Sequence, residues 1–438
     1  MTSNFFSLAA DQVSILHSAS QYKEQLLELI RNAEHRIYIT ALYLQDDAAG
    51  NEILQALFDA KKTNPNLIVK VFVDAHRAQR GLIGEKEQLG NRAMYQAYTK
   101  KYDLDVNIHG VAVKNKELFG VLHLKGMVFD DTVFYTGASI NDVYLQQNDK
   151  YRCDRYYLLK AQGLADSFCQ YLEDVFVTSG LAPKLNQDVY PQGTELKKQI
   201  LKLKQTLSKS QYNISQSPLV NGEIQVEPLV GFGPRRNKLN TKIRKTIQQA
   251  EKNLVIFTPY FNFPKVVSRD IAKALKRGVK IDITVGDKTA NDFYIADEEQ
   301  FSTIGIVPYI YEILLVRFVK RWKKYITTGQ LTVRLWQHDS NSFHLKGLIA
   351  DDVHHLITGS NINPRAWSLD LENGLAMFDP NRTLMEQVNK ELEHIYQHAK
   401  VIKSVDQLDN LKDYPSKPQK LLKRLRLAQI DRLLKRLL

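Results

Sequence analysis

Cysteine is nearly absent from this chain: Cys153 and Cys169 are the only two in 438 residues. That excludes a disulfide framework and a thiolate-built metal site, and leaves both thiols a reduced, structural role. Missing too is any run approaching the roughly 20 uninterrupted apolar residues that a membrane span requires. Met1-Thr2-Ser3-Asn4 opens no basic, apolar signal-peptide pattern, so the expectation is a cytoplasmic protein. Acidic residues fall short of basic ones, 48 against 60, which leaves a net charge of +12. The imbalance favours an anionic partner: nucleic acid, nucleotide or acidic lipid. Glycine and proline are present at ordinary levels, and 44% hydrophobic residues over this length support two sizeable cores rather than a disordered or collagen-like chain.

What the chain does have is one pattern written twice. Leu122-His123-Leu124-Lys125-Gly126-Met127-Val128-Phe129-Asp130 returns as Phe343-His344-Leu345-Lys346-Gly347-Leu348-Ile349-Ala350-Asp351, both reading H-x-K-x4-D. Gly137 and Asn141 follow the first copy, Gly359 and Asn363 the second, which carries one extra residue before its glycine. Alternate side chains on a strand share a face, so each histidine and its lysine project together while Leu124 and Leu345 face the core. Asp130-Asp131 and Asp351-Asp352 read as turns, and Val133-Phe134-Tyr135 and Leu356-Ile357 as the returning strands of two hairpins.

The surroundings are doubled as well. A helix over 22–32 leads through Ala33-Glu34-His35 into a strand at 36–43, as a helix over 243–249 leads through Ala250-Glu251-Lys252 into a strand at 254–260. Each half then shows a helix and strand (51–61 and 67–74; 268–276 and 279–287) and a third strand (106–109; 331–336) before its histidine. This is an internal duplication of an α/β unit with antiparallel hairpin members. A Lys- and Leu-rich helix at 195–207 and the polar segment 208–218 separate the halves, so the expected domains are 1–215 and 216–411, with a tail at 412–438.

Two stretches fall outside the repeat. Apolar residues from Tyr311 to Ile326 recur at helical spacing with Arg317, Lys320, Arg321, Lys323 and Lys324 between them, the pattern of a basic amphipathic helix, which is commonly one docked on a core. Lys417 to Leu438 carries eight basic residues against Asp431 alone. Ile430, Leu433, Leu434, Leu437 and Leu438 oppose Arg432, Lys435 and Arg436, while Leu421, Leu422 and Leu425 run out of phase with them. These leucines have no evident partner within the chain, so the tail reads as an interfacial helix on an anionic phospholipid surface, with a partner-protein helix as the alternative.

Histidine and aspartate are common metal ligands, but an ammonium has no lone pair and repels a cation, so the paired lysines argue against a metal. A histidine beside a fixed positive charge suits phosphoryl oxygens, and two such motifs face to face would surround one phosphorus with protein cations.

The doubled H-x-K-x4-D with its trailing glycine and asparagine resembles the phospholipase D superfamily over nearly the whole chain. Its G-S-x-x-N string is kept at Gly359-Ser360-Asn361-Ile362-Asn363 and altered at Gly137-Ala138-Ser139-Ile140-Asn141, where Ala replaces Ser. Val73-Asp74-Ala75-His76-Arg77-Ala78-Gln79-Arg80-Gly81, the string 286–295 and Asn363-Pro364-Arg365-Ala366-Trp367 are similar, more narrowly, to its Gram-negative phosphatidylserine synthase branch. The resemblance implies two sandwich domains about a pseudo-twofold axis with the active site at their interface. It implies transfer of a phosphatidyl group from CDP-diacylglycerol to L-serine with release of CMP, and no cofactor, metal or nucleic acid. Cardiolipin synthesis and phospholipase-type hydrolysis remain the alternatives. It further implies His123 as nucleophile, His344 as protonated acid and then base, and Lys125, Lys346, Asn141 and Asn363 on the phosphoryl oxygens. Asp154 and Glu372, which lie 31 and 28 residues beyond the two histidines, would orient the imidazoles. Asp130 and Asp351 complete the motifs by anchoring the hairpins. His76, Arg77 and Arg80 are candidates for the diphosphate or cytidine, or else a solvated loop. A peripheral, reversible attachment to the inner membrane completes the expectation.

Overall fold

A computed structural model describes residues 5–80, 90–214, 220–297, 300–427 and 438. Each half builds its sheet in the same order. In the first half the strands run Val13–Leu16, Tyr156–Lys160, Thr132–Thr136, Gly126–Phe129, Arg36–Thr40, Ile68–Asp74, Val106–Val111. In the second they run Ile224–Phe232, Leu371–Phe378, His354–Thr358, Gly347–Ala350, Asn253–Thr258, Lys280–Gly286, Leu331–Trp336, with Phe6–Leu8 and Ala399–Val401 at the two edges. The last three strands of the repeated unit are parallel and the hairpin strands antiparallel, as alternation of helix and strand followed by a hairpin requires.

The helices begin where short polar side chains accept the first free N–H groups. Ser18 accepts from Gln21 at the start of Ala19–Asn32, Asp47 from Gly50 at Ala48–Thr63, and Asn237 from Asn240 at Lys238–Gln249. Their apolar faces, Tyr22, Leu26 and Ile30 in one half and Leu239, Ile243 and Ile247 in the other, are buried against the sheets. Another cluster runs through both halves, taking Phe72, Leu122 and Tyr135 from the first and Phe257, Phe343 and Leu371 from the second. The halves therefore share a core.

The extra residue of the second motif lies in its hairpin turn. Two residues join Gly126–Phe129 to Thr132–Thr136, and three join Gly347–Ala350 to His354–Thr358. Asp130 adopts a positive φ of 49° in the first turn, and Asp351 and Asp352 adopt 54° and 63° in the second, a backbone that aspartate tolerates better than most residues.

Three expectations need correction. Residues 5–8 were placed with the first half, yet Phe6–Leu8 pairs with Ile224–Phe232 in the second sheet, because an edge strand needs only an open edge and three alternating residues. The segment Tyr311 to Ile326 is two helices, Val307–Arg321 and Lys323–Thr327, broken at Trp322, and Leu315, Val316 and Val319 dock it on the second core. The first leucines of the tail do have a partner within the chain. Leu422 is 2% exposed and, with Leu421 and Leu425, packs on Ile306, Tyr309, Ile310 and Tyr414. Leu438, the one described residue of the later set, packs against the same cluster. The boundary at residue 215 and tail residues 428–437 lie outside the described residues. Among the described residues no helix is long and apolar enough to cross a membrane.

Candidate active site

Each histidine strand leaves its own sheet and pairs with the other half. Leu122–His123 runs parallel to the start of Leu371–Phe378, with His123 opposite Glu372. Ser342–Phe343 runs parallel to Arg152–Cys153, and the His344 N–H donates to the Cys153 carbonyl at 2.8 Å. The carboxylates are consequently exchanged between halves. His123 Nδ1 lies 2.9 Å from Glu372 Oε2, and His344 Nδ1 lies 2.8 Å from Asp154 Oδ2. All four side chains are buried, and each carboxylate engages the Nδ1 of its histidine.

The lysines complete the cluster. Lys125 Nζ donates to Ser139 Oγ at 3.1 Å and to the Ala138 carbonyl at 3.3 Å. The hydroxyl missing at position 138 is thus supplied one residue later. Lys346 Nζ touches the His344 ring and lies 3.5 Å from Asp154 Oδ2. Asn141 Oδ1 accepts from Tyr144 N and Asn363 Oδ1 from Ala366 N, which orients both amides with their NH2 groups turned away from those backbone contacts.

Gly137 and Gly359 are explained by close approach. A Cβ on Gly137 would sit 2.6 Å from Asp154 Oδ1, and one on Gly359 would sit 2.7 Å from Lys125 Cγ. Any side chain there would displace the group that orients His344 or the lysine beside His123.

Burial dominates the electrostatics. It lowers His123 well below the usual imidazole range, with Lys125 adding to the shift, and it lowers His344 likewise, with Lys346 adding. Burial and the mutual repulsion of the ammonium groups bring Lys125 down to about 7; burial brings Lys346 down to about 8, against the pull of Asp154. Glu372 is pushed up to about 8 by burial. The expected protonated state of His344 is therefore opposed by burial and by Lys346 more than the neighbouring carboxylates favour it, and further negative charge beside the ring would favour the imidazolium. A phosphoryl group supplies that charge and stabilises both ammonium groups at once.

Asp130 and Asp351 belong to the hairpins, as the sequence suggested, and not to the reacting cluster. Asp130 accepts from the N–H groups of Glu34, His35 and Arg36, and Asp351 from those of Glu251, Lys252 and Asn253, all at 2.7–3.0 Å. Burial opposes their ionisation, but these bonds win and hold both carboxyls below the usual range.

His76, Arg77 and Arg80 are not a solvated loop. Asp74 caps the short helix Ala75–Ala78, and its other oxygen accepts from Leu122 N at 2.9 Å, tying that helix to the strand of His123. His76 Nε2 contacts the Lys114 carbonyl at 2.7 Å, the Arg77 guanidinium lies 4.7 Å from the Tyr43 ring centre, and Arg80 forms a two-point ion pair with Glu117 at 2.5 and 2.7 Å.

Sequence reasoning missed several residues. Asn373 exchanges two hydrogen bonds with the Lys125 backbone at 2.8 and 2.7 Å, which seats that lysine from the opposite half. Tyr144 OH lies 3.1 Å from His344 Nδ1. Arg155 follows Asp154 and pairs with Glu391 at 2.9 and 2.7 Å. Adjacency to Asp154 and Glu372 was the available signal for Arg155 and Asn373.

The family model described as cardiolipin synthase, phospholipase D-like domain, matches residues 26–144 and 243–396, the two duplicated units. The chain belongs to the phospholipase D-like family. Within that family it is 44% identical to the CDP-diacylglycerol–serine O-phosphatidyltransferases of Haemophilus influenzae and Escherichia coli, over 99% of this chain and 96% of each of those proteins. A Schizosaccharomyces pombe CDP-diacylglycerol–glycerol-3-phosphate 3-phosphatidyltransferase is 24% identical over 90% of both chains. The crystal structure of the Haemophilus influenzae phosphatidylserine synthase superposes with a TM-score of 0.96, covering 99% of this chain and 97% of that one. As a phospholipase D-like protein the chain has the mixed α/β two-sheet fold of that structure.

Proposed function

We propose that this protein transfers a phosphatidyl group from CDP-diacylglycerol to L-serine, releasing CMP, through a phosphatidyl-histidine. The observation that carries the chemistry is the exchanged pairing of two buried histidines with carboxylates from opposite halves. Full-length identity of 44% to two serine phosphatidyltransferases supports the choice of substrates.

With the proton shared by His123 and Glu372 on Nδ1, the Nε2 lone pair is free to attack phosphorus. The P–N bond forms as the P–O bond to CMP breaks, and His344 gives its proton to the leaving oxygen. In the second step His344 takes the proton of the serine hydroxyl, whose oxygen displaces His123 and frees Nε2 again. Lys125 and Lys346, with the amides of Asn141 and Asn363, take the negative charge of the non-bridging oxygens. Incubation with CDP-diacylglycerol and either labelled serine or labelled glycerol phosphate tests the reading: label should enter lipid from serine. Label entering only from glycerol phosphate would replace it.

The acyl chains of the donor remain in a bilayer, so the catalyst works at an interface. We assign that attachment to the basic end of the tail, because Leu421, Leu422 and Leu425 are occupied in the core and the sequence sets Arg432, Lys435 and Arg436 opposite a leucine stripe. Each basic residue near an anionic surface contributes about 1 kcal/mol, screened by salt. Replacing Arg432, Lys435 and Arg436 by Gln should therefore weaken sedimentation with anionic vesicles by roughly 100-fold at low salt, and spare activity on detergent-dispersed substrate. Unchanged sedimentation would remove the tail from this role.

A further inference from the structure

Beside His344 lies a pair of opposite charges that the phosphorus chemistry does not use. Arg152 precedes Asp154 by two residues on one extended segment, so both side chains leave on the same side. Arg152 Nη2 pairs with Asp292 Oδ1 at 3.0 Å, its Nε donates to Ser342 Oγ at 3.1 Å, and its Cζ lies 4.5 Å from the Tyr144 ring centre. Tyr144 in turn contacts His344, its hydroxyl 3.1 Å from Nδ1. Asp292 is held from the other side by Tyr260, whose hydroxyl donates at 2.9 Å and whose ring centre lies 6.4 Å from that of His344. One tyrosine therefore separates each charge from the acid–base histidine.

The pair is a poor device for stability alone, since desolvating two charges offsets much of their attraction. It is also not sealed, because the Arg152 and Asp292 side chains keep 14% and 17% of their surface accessible. The corresponding position in the other half, two residues before Glu372, is Asp370, which pairs with Arg365 at 3.2 Å and accepts from Val121 N at 3.0 Å. The duplication is broken here, on the side where an incoming hydroxyl must meet His344.

We propose that Arg152 and Asp292 seat the acceptor's zwitterion: Arg152 takes the α-carboxylate, Asp292 the α-ammonium, and the hydroxyl is delivered to His344. This rests on the phosphatidyl-transfer reading and adds what decides its acceptor. A molecule with both charges on one carbon satisfies both residues. An acceptor carrying a phosphate and no ammonium brings further negative charge beside Asp292 and no cation for it, a repulsive element that selects against it.

The test uses the full chain with detergent-dispersed CDP-diacylglycerol and two acceptors, L-serine and glycerate, in which a hydroxyl replaces the ammonium. Exchange of labelled CMP into CDP-diacylglycerol without acceptor is measured in parallel. Asp292→Asn should raise the KM for serine by about 30-fold or more and lower the preference for serine over glycerate by at least about tenfold. Asp292→Glu, which keeps the charge, should retain most of that preference. The proposal is overturned if Asp292→Asn keeps the wild-type preference, if CMP exchange falls in parallel with serine transfer, or if Asp292→Glu loses the preference. Should Asp292→Asn not fold, the Asp292→Glu result decides. Failure of the wild type to form phosphatidylserine at all would instead sink the transferase reading, a result separable from any change in preference.

Discussion

Alanine at His123 or at His344 is expected to lower phosphatidylserine formation by about 10,000-fold or more, in each case with the fold intact. The magnitude follows from geometry. His123 is held by Glu372 at 2.9 Å and His344 by Asp154 at 2.8 Å, each carboxylate arriving from the opposite half, so neither histidine duplicates the other's position. Without the His123 ring no P–N bond can form. Without the His344 ring, neither the leaving CMP nor the serine hydroxyl has a proton partner. Both side chains are small parts of a core anchored elsewhere, so urea midpoints should move little while the rate collapses. Residual turnover within about tenfold of wild type for either variant would mean that one half suffices.

The largest effect on stability is expected at Glu391. Arg155 and Glu391 are 3% and 5% exposed, and they join the first half to the helix Met385–Tyr396 of the second. Tyr157 OH also donates to Glu391 at 2.9 Å. Glu391→Ala would leave the guanidinium buried and unpaired, at a cost of about 3–5 kcal/mol. The double variant Arg155→Met with Glu391→Leu removes the charges together and should recover most of that loss, since well-packed apolar residues often replace a buried ion pair at little cost. Urea unfolding of the three proteins measures this. An unfolding free energy for Glu391→Ala within about 1 kcal/mol of wild type would show that the contact between halves does not depend on the pair. Because Arg155 adjoins Asp154, Glu391→Ala should also disturb the orientation of His344 and reduce activity before the protein unfolds.

Much of this architecture was legible in the chain. Periodicity of two placed each histidine and lysine on one face, and paired aspartates marked both hairpin turns, where Asp130 and Asp351 do bind three backbone N–H groups each. Asp154 and Glu372 come from the family resemblance and not from the pattern, and their exchange between halves was not expected: alternation records which face a residue occupies and says nothing of which strand will lie beside it. The partners are set by two short parallel pairings between residues more than 180 positions apart, Leu122–His123 with Leu371–Glu372 and Ser342–Phe343 with Arg152–Cys153. Asp292 and Tyr144 were hidden for the same reason, since each meets its partners only through tertiary packing. The break at Trp322 and the docking of Leu422 show the opposite failure, in which a local amphipathic pattern was clear but the surface that receives it was not.

The most direct measurement is isotope exchange. A phosphatidyl group resting on His123 can be returned to CMP, so the protein given CDP-diacylglycerol and labelled CMP, with no serine, should build label into CDP-diacylglycerol, and His123→Ala should not. Wild-type protein that makes phosphatidylserine yet supports no exchange would contradict the covalent step and point to direct displacement by serine.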